Sequence, residues 1–237
     1  IAALNGLLES GGVGGGQTLR WTMRIARHGQ PALEIHDIAT GESAFGEFTA
    51  GIGTPLRYLL NNPYQRLVLD SLEIRVEVAP RRAQWTLRSA RLVRGAVRPG
   101  SRVELLCEME SWRGGRASRT LQLEVPEEAP PGRYLLWVGG GSDLNRFEAA
   151  RSPAHFRPTS LDDAWRRLRS SRPNDALYAA LYARAPEVSV DGRDYAELPA
   201  SAVILMSGSQ STVERRRSDT ATLDEVRHAV DGVVRGE

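Results

Sequence analysis

The chain has 237 residues, 41% hydrophobic and 25% charged, which is ordinary globular composition with enough apolar mass for one or two cores. Its 31 basic side chains are all arginine and face 29 acidic ones, leaving a net charge of +2. The absence of lysine excludes Schiff-base and lysine general-base chemistry. Nucleic-acid binding is not expected, because it needs arginines gathered on one face. The one dense run, Arg215 to Arg217, is flanked by Glu214 and Asp219 and reads as a solvated loop. A single cysteine, Cys107, permits no intrachain disulfide and points to no redox compartment. No apolar run reaches the ~20 residues of a membrane-spanning helix.

The first segment, 1–80, reads as a strand-helix-strand lead-in, the end of a preceding domain. Residues 1–9 suggest a short helix, and the glycine-rich stretch Gly11 to Gly16 a turn. Leu19, Trp21, Met23 and Ile25 then alternate with Thr18, Arg20, Thr22 and Arg24, the period-two pattern of a half-buried strand. Leu33 to Ile38 form its hairpin partner across His28-Gly29-Gln30-Pro31. Thr54-Pro55 reads as a helix start, because threonine can cap and proline at the first helical position loses no hydrogen bond. The helix ends at Asn61-Asn62-Pro63. The next strand, within 66–79, alternates Leu72, Ile74, Val76 and Val78 with Glu73, Arg75 and Glu77, which places Ile74 in a core.

The second segment, 81–141, reads as an immunoglobulin-like antiparallel β-sandwich that shares strand 66–79. Trp85 and Leu87 open one strand. Val103, Leu105, Cys107 and Met109 share a face of the next, and Leu121, Leu123 and Val125 a face of the third, after the turn Arg113 to Arg116. Tyr134, Leu136 and Val138 mark a fourth after a proline-rich corner. Short alternating strands at this spacing define a mainly β fold. The third segment, 142–186, reads as a helical hairpin. Ser160 caps a first helix with Asp162 and Asp163 in its first turn and Leu161, Trp165 and Leu168 on one stripe. Asn174 is expected to cap a second helix with Leu177, Tyr178 and Leu181. The fourth segment, 187–237, reads as short strands and a polar tail: extended pieces at Val188, Val190 and Tyr195 around Asp191-Gly192, a buried stretch at Ala202 to Met206, and extended structure over 222–234 with a turn at Asp231-Gly232. The N-terminus lacks a basic leader and reads as the interior of a longer chain, and the C-terminus stops without a closing element.

Few residues carry recognisable chemistry. Ser207, in Met206-Ser207-Gly208-Ser209, needs a base and an oxyanion site to act as a nucleophile, and His28, His36, His155 and His228 are scattered over separate segments. A loop is the simpler reading. His36 alternates with Ile35 and therefore points to solvent. One cysteine and dispersed histidines match no metal-ligand spacing. The glycine-rich stretch lacks the Lys-Ser/Thr of a phosphate loop. No catalytic residue, cofactor or metal is expected. Trp112, Leu135 and Trp137 form the candidate interaction surface. Because either Tyr134 and Leu136 or Leu135 and Trp137 must face outward, an outward Trp137 requires a cover, from the third segment or from a partner.

Several strings together resemble the region that follows the peptidase domain in SpoIVB-type serine peptidase homologues of bacteria. They are Pro55, Leu56 and Leu59 to Asn62, Leu72 to Val78, Asn174, Leu177, Tyr178 and Leu181, and Gly192, Leu198, Pro199 and Ser201. The opening Ile1 to Leu8 is similar to the helix by which that family leaves its catalytic domain. The family's histidine and serine elements lie upstream of the region that resembles this chain. Met206 to Gln210 has Gln210 where the nucleophile element carries proline, so no catalytic residue is carried over. The resemblance implies an exported protein, in the periplasm or cell envelope. The expectation is a non-catalytic structural or interaction segment whose partner is the preceding domain of the same protein or another envelope protein, with oligomers possible. The alternatives are part of an active serine endopeptidase whose catalytic domain lies elsewhere, and a carbohydrate- or peptide-binding sandwich.

Overall fold

The structure is a computed structural model that describes residues 16–129, 131–151, 158–183, 187–190, 193–196, 216–218 and 221–236. The expected helix at 1–9, the glycine-rich turn up to Gly15, the stretch Ala202 to Met206 and the Asp191-Gly192 turn lie outside them.

The chain is mainly β. Strand β1 (Thr18–Ala26) is the centre of a lead-in sheet, paired antiparallel with β2 (Leu33–Thr40) on one side and β3 (Ser71–Ala79) on the other. The alternation read from the sequence is kept: Leu19, Trp21, Met23 and Ile25 are closed off from solvent. Helix α1 (Ala44–Leu60) covers them, bringing Phe48 edge-on against Trp21 at 5.4 Å between ring centroids. The helix ends where expected but starts ten residues before Thr54, so Pro55 sits inside it. An interior proline costs a hydrogen bond, and the start was hidden by Gly46, Gly51 and Gly53, poor helix formers individually. What holds the helix is its stripe of Phe48, Ile52, Leu56 and Leu59 on the sheet.

A second correction concerns β3. Its side chains Leu72, Ile74 and Val78 are 44%, 39% and 37% exposed, so Ile74 is not a core residue. Helix α1 packs over β1 and β2 and leaves the β3 row beyond its reach, apart from part of Val76. Alternation reports the side of the sheet a residue takes and carries no information about whether anything covers that side. Strand β3 also pairs with β1, and is not shared with the sandwich as the sequence suggested.

The sandwich faces two sheets across one core. One has β4 (Gln84–Leu92), β5 (Arg102–Ser111), β6 (Arg116–Glu124) and β13 (Val233–Gly236) in the order β13-β4-β5-β6, with β13 parallel to β4. The other has β7 (Tyr134–Gly140), β8 (Ala176–Ala183) and β12 (Ala221–Ala229) in the order β12-β8-β7. Val103, Leu105, Cys107, Met109, Leu121 and Leu123 of the first interlock with Leu177, Ala179 and Leu181 of the second. The sandwich architecture expected from the sequence is present, with two meanders and a returning last strand as its own strand order; immunoglobulin domains distribute their strands as ABED and CFG. It is completed by strands far beyond residue 141, so 81–141 supplies only part of it.

The third correction is β8 itself. The expected helical hairpin has its first helix, α3 (Leu161–Arg169), capped by the Ser160 hydroxyl accepting from Asp163 N–H, and a preceding helix, α2 (Gly141–Arg151). Residues 176–183 are a strand instead. All eight are buried. Leu177, Ala179 and Leu181 enter the sandwich core, while Ala176, Tyr178, Ala180 and Tyr182 pack under α2 with Leu144 and Phe147. A strand buried on both faces reads as a continuous apolar run, which periodicity alone cannot tell from a helix. A small sheet joins β9 (Glu187–Val190) and β10 (Arg193–Ala196), in line with the extended pieces expected there, to β11 (Arg216–Ser218), which pairs with β9 where a solvated loop was expected. The expected extended structure over 222–234 is β12 and β13, joined through Gly232 at φ 149°.

Gly51 sets the distance between α1 and the lead-in sheet. A Cβ there would lie 2.5 Å from Trp21 Cζ2, whereas one at Gly53 meets open space. Gly51→Ala should lower stability by about 1–3 kcal/mol through overpacking, and Gly53→Ala should raise it by about 0.5–1 kcal/mol through helix propensity. Urea denaturation of the two variants tests this; equal shifts of the same sign would show that α1 does not rest on Trp21.

Candidate interaction surface

Three features of the fold present chemistry outward. The first is β3. On one side its backbone pairs with β1, and among the described residues no strand pairs with its other side. Opposite Ile25, Met23, Trp21 and Leu19 stand Leu72, Ile74, Val76 and Val78, so the closed row of β1 continues into an open row on β3. On the reverse face Glu73, Arg75 and Glu77 stand opposite Arg24, Thr22 and Arg20. Leu60 and Val68, near the two ends of the α1–β3 connection, add 54% and 65% exposed apolar side chains. A long strand edge beside an apolar row is the combination that pairs with another chain.

The second is a cleft of about 400 Å³ on the polar face of the lead-in sheet, lined by Arg20, Glu34, His36, Asp37, Arg75, Glu77 and Asp175. Asp37 accepts hydrogen bonds from the backbone N–H of Asn174 at 2.7 Å and of Ile38 at 2.8 Å. Asn174, expected to cap a helix, instead joins the two layers: its Oδ1 also accepts from Ser142 N–H at 2.8 Å. Desolvation pushes the Asp37 carboxyl up to about 6, against the two backbone N–H groups that lower it, and the Asp175 charge adds to the rise. His36, exposed as expected, lies 3.8 Å from Asp175 Oδ2, which is bonded through Oδ1 to Arg227 at 2.8 Å. Arg20, Arg75, Asp37 and Asp175 are thus each engaged, with Asp231, Glu73, backbone N–H groups and Arg227 respectively. Asp37 works as a clamp between lead-in sheet and sandwich.

The third is the set named from the sequence. Trp112 follows β5 in the four-stranded sheet and is 58% exposed, with the Arg82 guanidinium 3.5 Å from its ring centroid. Leu135 and Trp137 lie on the outer face of the other sheet. Leu135 is 47% exposed, while Trp137 stacks on Phe147 of α2 at 6.1 Å, so the third segment supplies its cover. The three residues therefore do not share one sheet. Cys107 is buried in the sandwich core, where desolvation pushes its thiol up to about 11. Ser207 and His155 lie outside the described residues. Among the described residues no group of three or more His, Cys, Asp or Glu side chains is placed to hold a metal. No described helix is long and apolar enough to cross a membrane.

The open edge of β3 was missed in the sequence, although the alternation that marks it was read. The missing signal was the placement of α1 over β1 and β2, which leaves the β3 row uncovered and which no local pattern contains. Compared with known proteins, the chain matches no family model, no curated protein and no solved structure.

The Asp37 clamp makes a pH prediction. Its folded-state value of about 6 lies above the ordinary 3.8, so its contribution to stability is greatest below about pH 4 and is lost as pH rises through about 6. The loss is on the order of 3 kcal/mol. Asp37→Asn keeps an acceptor for Asn174 and removes the titration. Denaturation of both proteins between pH 4 and 7 should therefore show the variant gaining on the wild type as pH rises. Parallel profiles would remove Asp37 as the group responsible.

Proposed function

We propose that the chain is a non-catalytic structural and interaction segment of a larger exported bacterial envelope protein, and that β3 is its working surface. One observation carries this reading: Leu72, Ile74 and Val78 are each about two-fifths exposed along a strand edge that no described strand pairs, next to a β1 row that is fully closed. At that exposure each of these side chains gives up roughly 0.6–1.2 kcal/mol relative to full burial. A partner that covers the row and pairs the edge gains that burial and a set of backbone hydrogen bonds, the mode of strand addition. The resemblance to the region after the peptidase domain of SpoIVB-type homologues supplies the setting, outside the cytoplasm, and makes the preceding domain of such a protein a partner to test.

A sugar or peptide platform at Trp112 is the second reading, favoured by its exposed indole. Arg82 stacked on the ring makes that platform cationic.

The test compares hydrogen exchange of β3 amides in the isolated chain, held dilute enough to be monomeric, and in the longer protein. Protection confined to the longer protein is expected. Ile74→Asp should leave the isolated chain folded, at a cost of roughly 1–3 kcal/mol, because only part of the side chain is covered. It should abolish the protection gained in the longer protein. Equal exchange in both contexts sinks the reading.

A further inference from the structure

We propose that β3 pairs antiparallel with β3 of a second copy of this chain, an inference that rests on β3 being the working surface. The charged row of β3 is self-complementary. Across a two-fold axis normal to the sheet, residues opposite each other share a face, so a residue of the polar row 73, 75, 77 must meet another of that row. Three registers keep most of the strand paired. Centred on Arg75, the pairing sets Arg75 against Arg75 and Glu73 against Glu77 twice, all like charges. Centred on Val76, it sets Arg75 against Glu77 twice, Ile74 against Val78 twice, and Val76 against itself. Centred on Ile74, it sets Arg75 against Glu73 twice and Leu72 against Val76 twice. Opposite charges directly across a strand pair stabilise and like charges destabilise, so the Glu-x-Arg-x-Glu pattern rejects the central register and admits its two neighbours.

The surroundings agree. The Arg75 and Glu73 side chains are 79% and 46% exposed, so both are free to exchange their present mutual contact for one across the axis. The net charge of +2 puts no strong repulsion between copies. Strand β3 contains no proline, whose missing N–H would interrupt pairing along its edge. In the pair, the two open apolar rows lie side by side about 4.8 Å apart, each covering part of the other. One strand from each copy is a small interface, so the dimer is concentration-dependent.

Sedimentation of the wild-type chain across the micromolar range should show the mass rise from 26.0 kDa towards twice that value. Arg75→Glu places three acidic residues in the row and should weaken association by roughly 10- to 100-fold. The triple variant Glu73→Arg, Arg75→Glu, Glu77→Arg inverts the pattern, is again self-complementary, and should recover the dimer. All three positions are exposed, and circular dichroism checks that each variant is folded. A wild type that stays at 26.0 kDa overturns the second copy as occupant, as does a folded triple variant that fails to recover or an Arg75→Glu variant that dimerises like the wild type. A monomeric wild type whose β3 amides are nevertheless protected in the longer protein leaves the interaction reading standing with a different partner. A monomer without that protection removes both.

Discussion

Strand β8 must be apolar on both faces, and much of the molecule follows from that requirement. One face closes the sandwich core through Leu177, Ala179 and Leu181, and the other forms the floor for α2 through Tyr178 and Tyr182. Alternating alanine with larger residues lets both layers approach closely. Of the two tyrosine hydroxyls on that floor, that of Tyr182 donates to Glu148 at 2.6 Å, and Glu148 is held in turn by Arg151 at 2.7 Å. Burying a carboxylate is tolerable there because the hydroxyl and the guanidinium satisfy it. The Glu148 charge and its hydrogen bond also push the Tyr182 hydroxyl above its ordinary range, after desolvation, and so keep it a donor.

The same strand ties the sandwich to the lead-in sheet, because Asn174 lies two residues before its start and its backbone N–H is bound by Asp37 of β2. At the other end of the junction the Thr18 and Thr40 hydroxyls lie 2.7 Å apart, both within 3.1 Å of Ala83 N, and Thr18 donates to Arg81 O at 2.6 Å. These neutral contacts are buried and are costly to leave unmade. The ion pairs that surround them, Arg20 and Arg81 with Asp231 and Arg235 with Glu47, are partly exposed and contribute less. The junction draws on β2, on β1 through Thr18 and Arg20, and on the chain just beyond β3 through Arg81 and Ala83. None of these bonds comes from Leu72 to Val78 of β3.

Strands buried on one face were legible in the sequence. Leu19 to Ile25, Val103 to Met109 and Leu121 to Val125 alternate because water meets every second residue, and each forms the expected strand. The α3 cap was legible for a similar reason, since Ser160 and Asp163 make a local contact that needs nothing from the rest of the chain. Where burial is two-sided, as from Ala176 to Ala183, alternation vanishes and the run was read as a helix. Where a helix is held by the sheet beneath it, as at Ala44 to Gly53, propensity misled. Of the surface residues, Trp137 was correctly seen to need a cover, whereas exposure at Ile74 depends on how far α1 extends sideways, a tertiary fact that no local pattern contains.

That distinction bears on how the open row of β3 is to be understood. A strand whose only task was to flank β1 would need no aliphatic side chain at 72, 74 or 78, and a polar one would lower the risk of uncontrolled association. The row instead keeps large aliphatic residues while the reverse face of the same strand carries charges of both signs. Apolar attraction along the row is undirected and would accept many registers. The alternating charges favour some registers over others, because a slip of two residues replaces opposite charges with like ones. An edge of this composition is therefore adhesive on one face and selective on the other, which is the division of labour a specific strand partner requires.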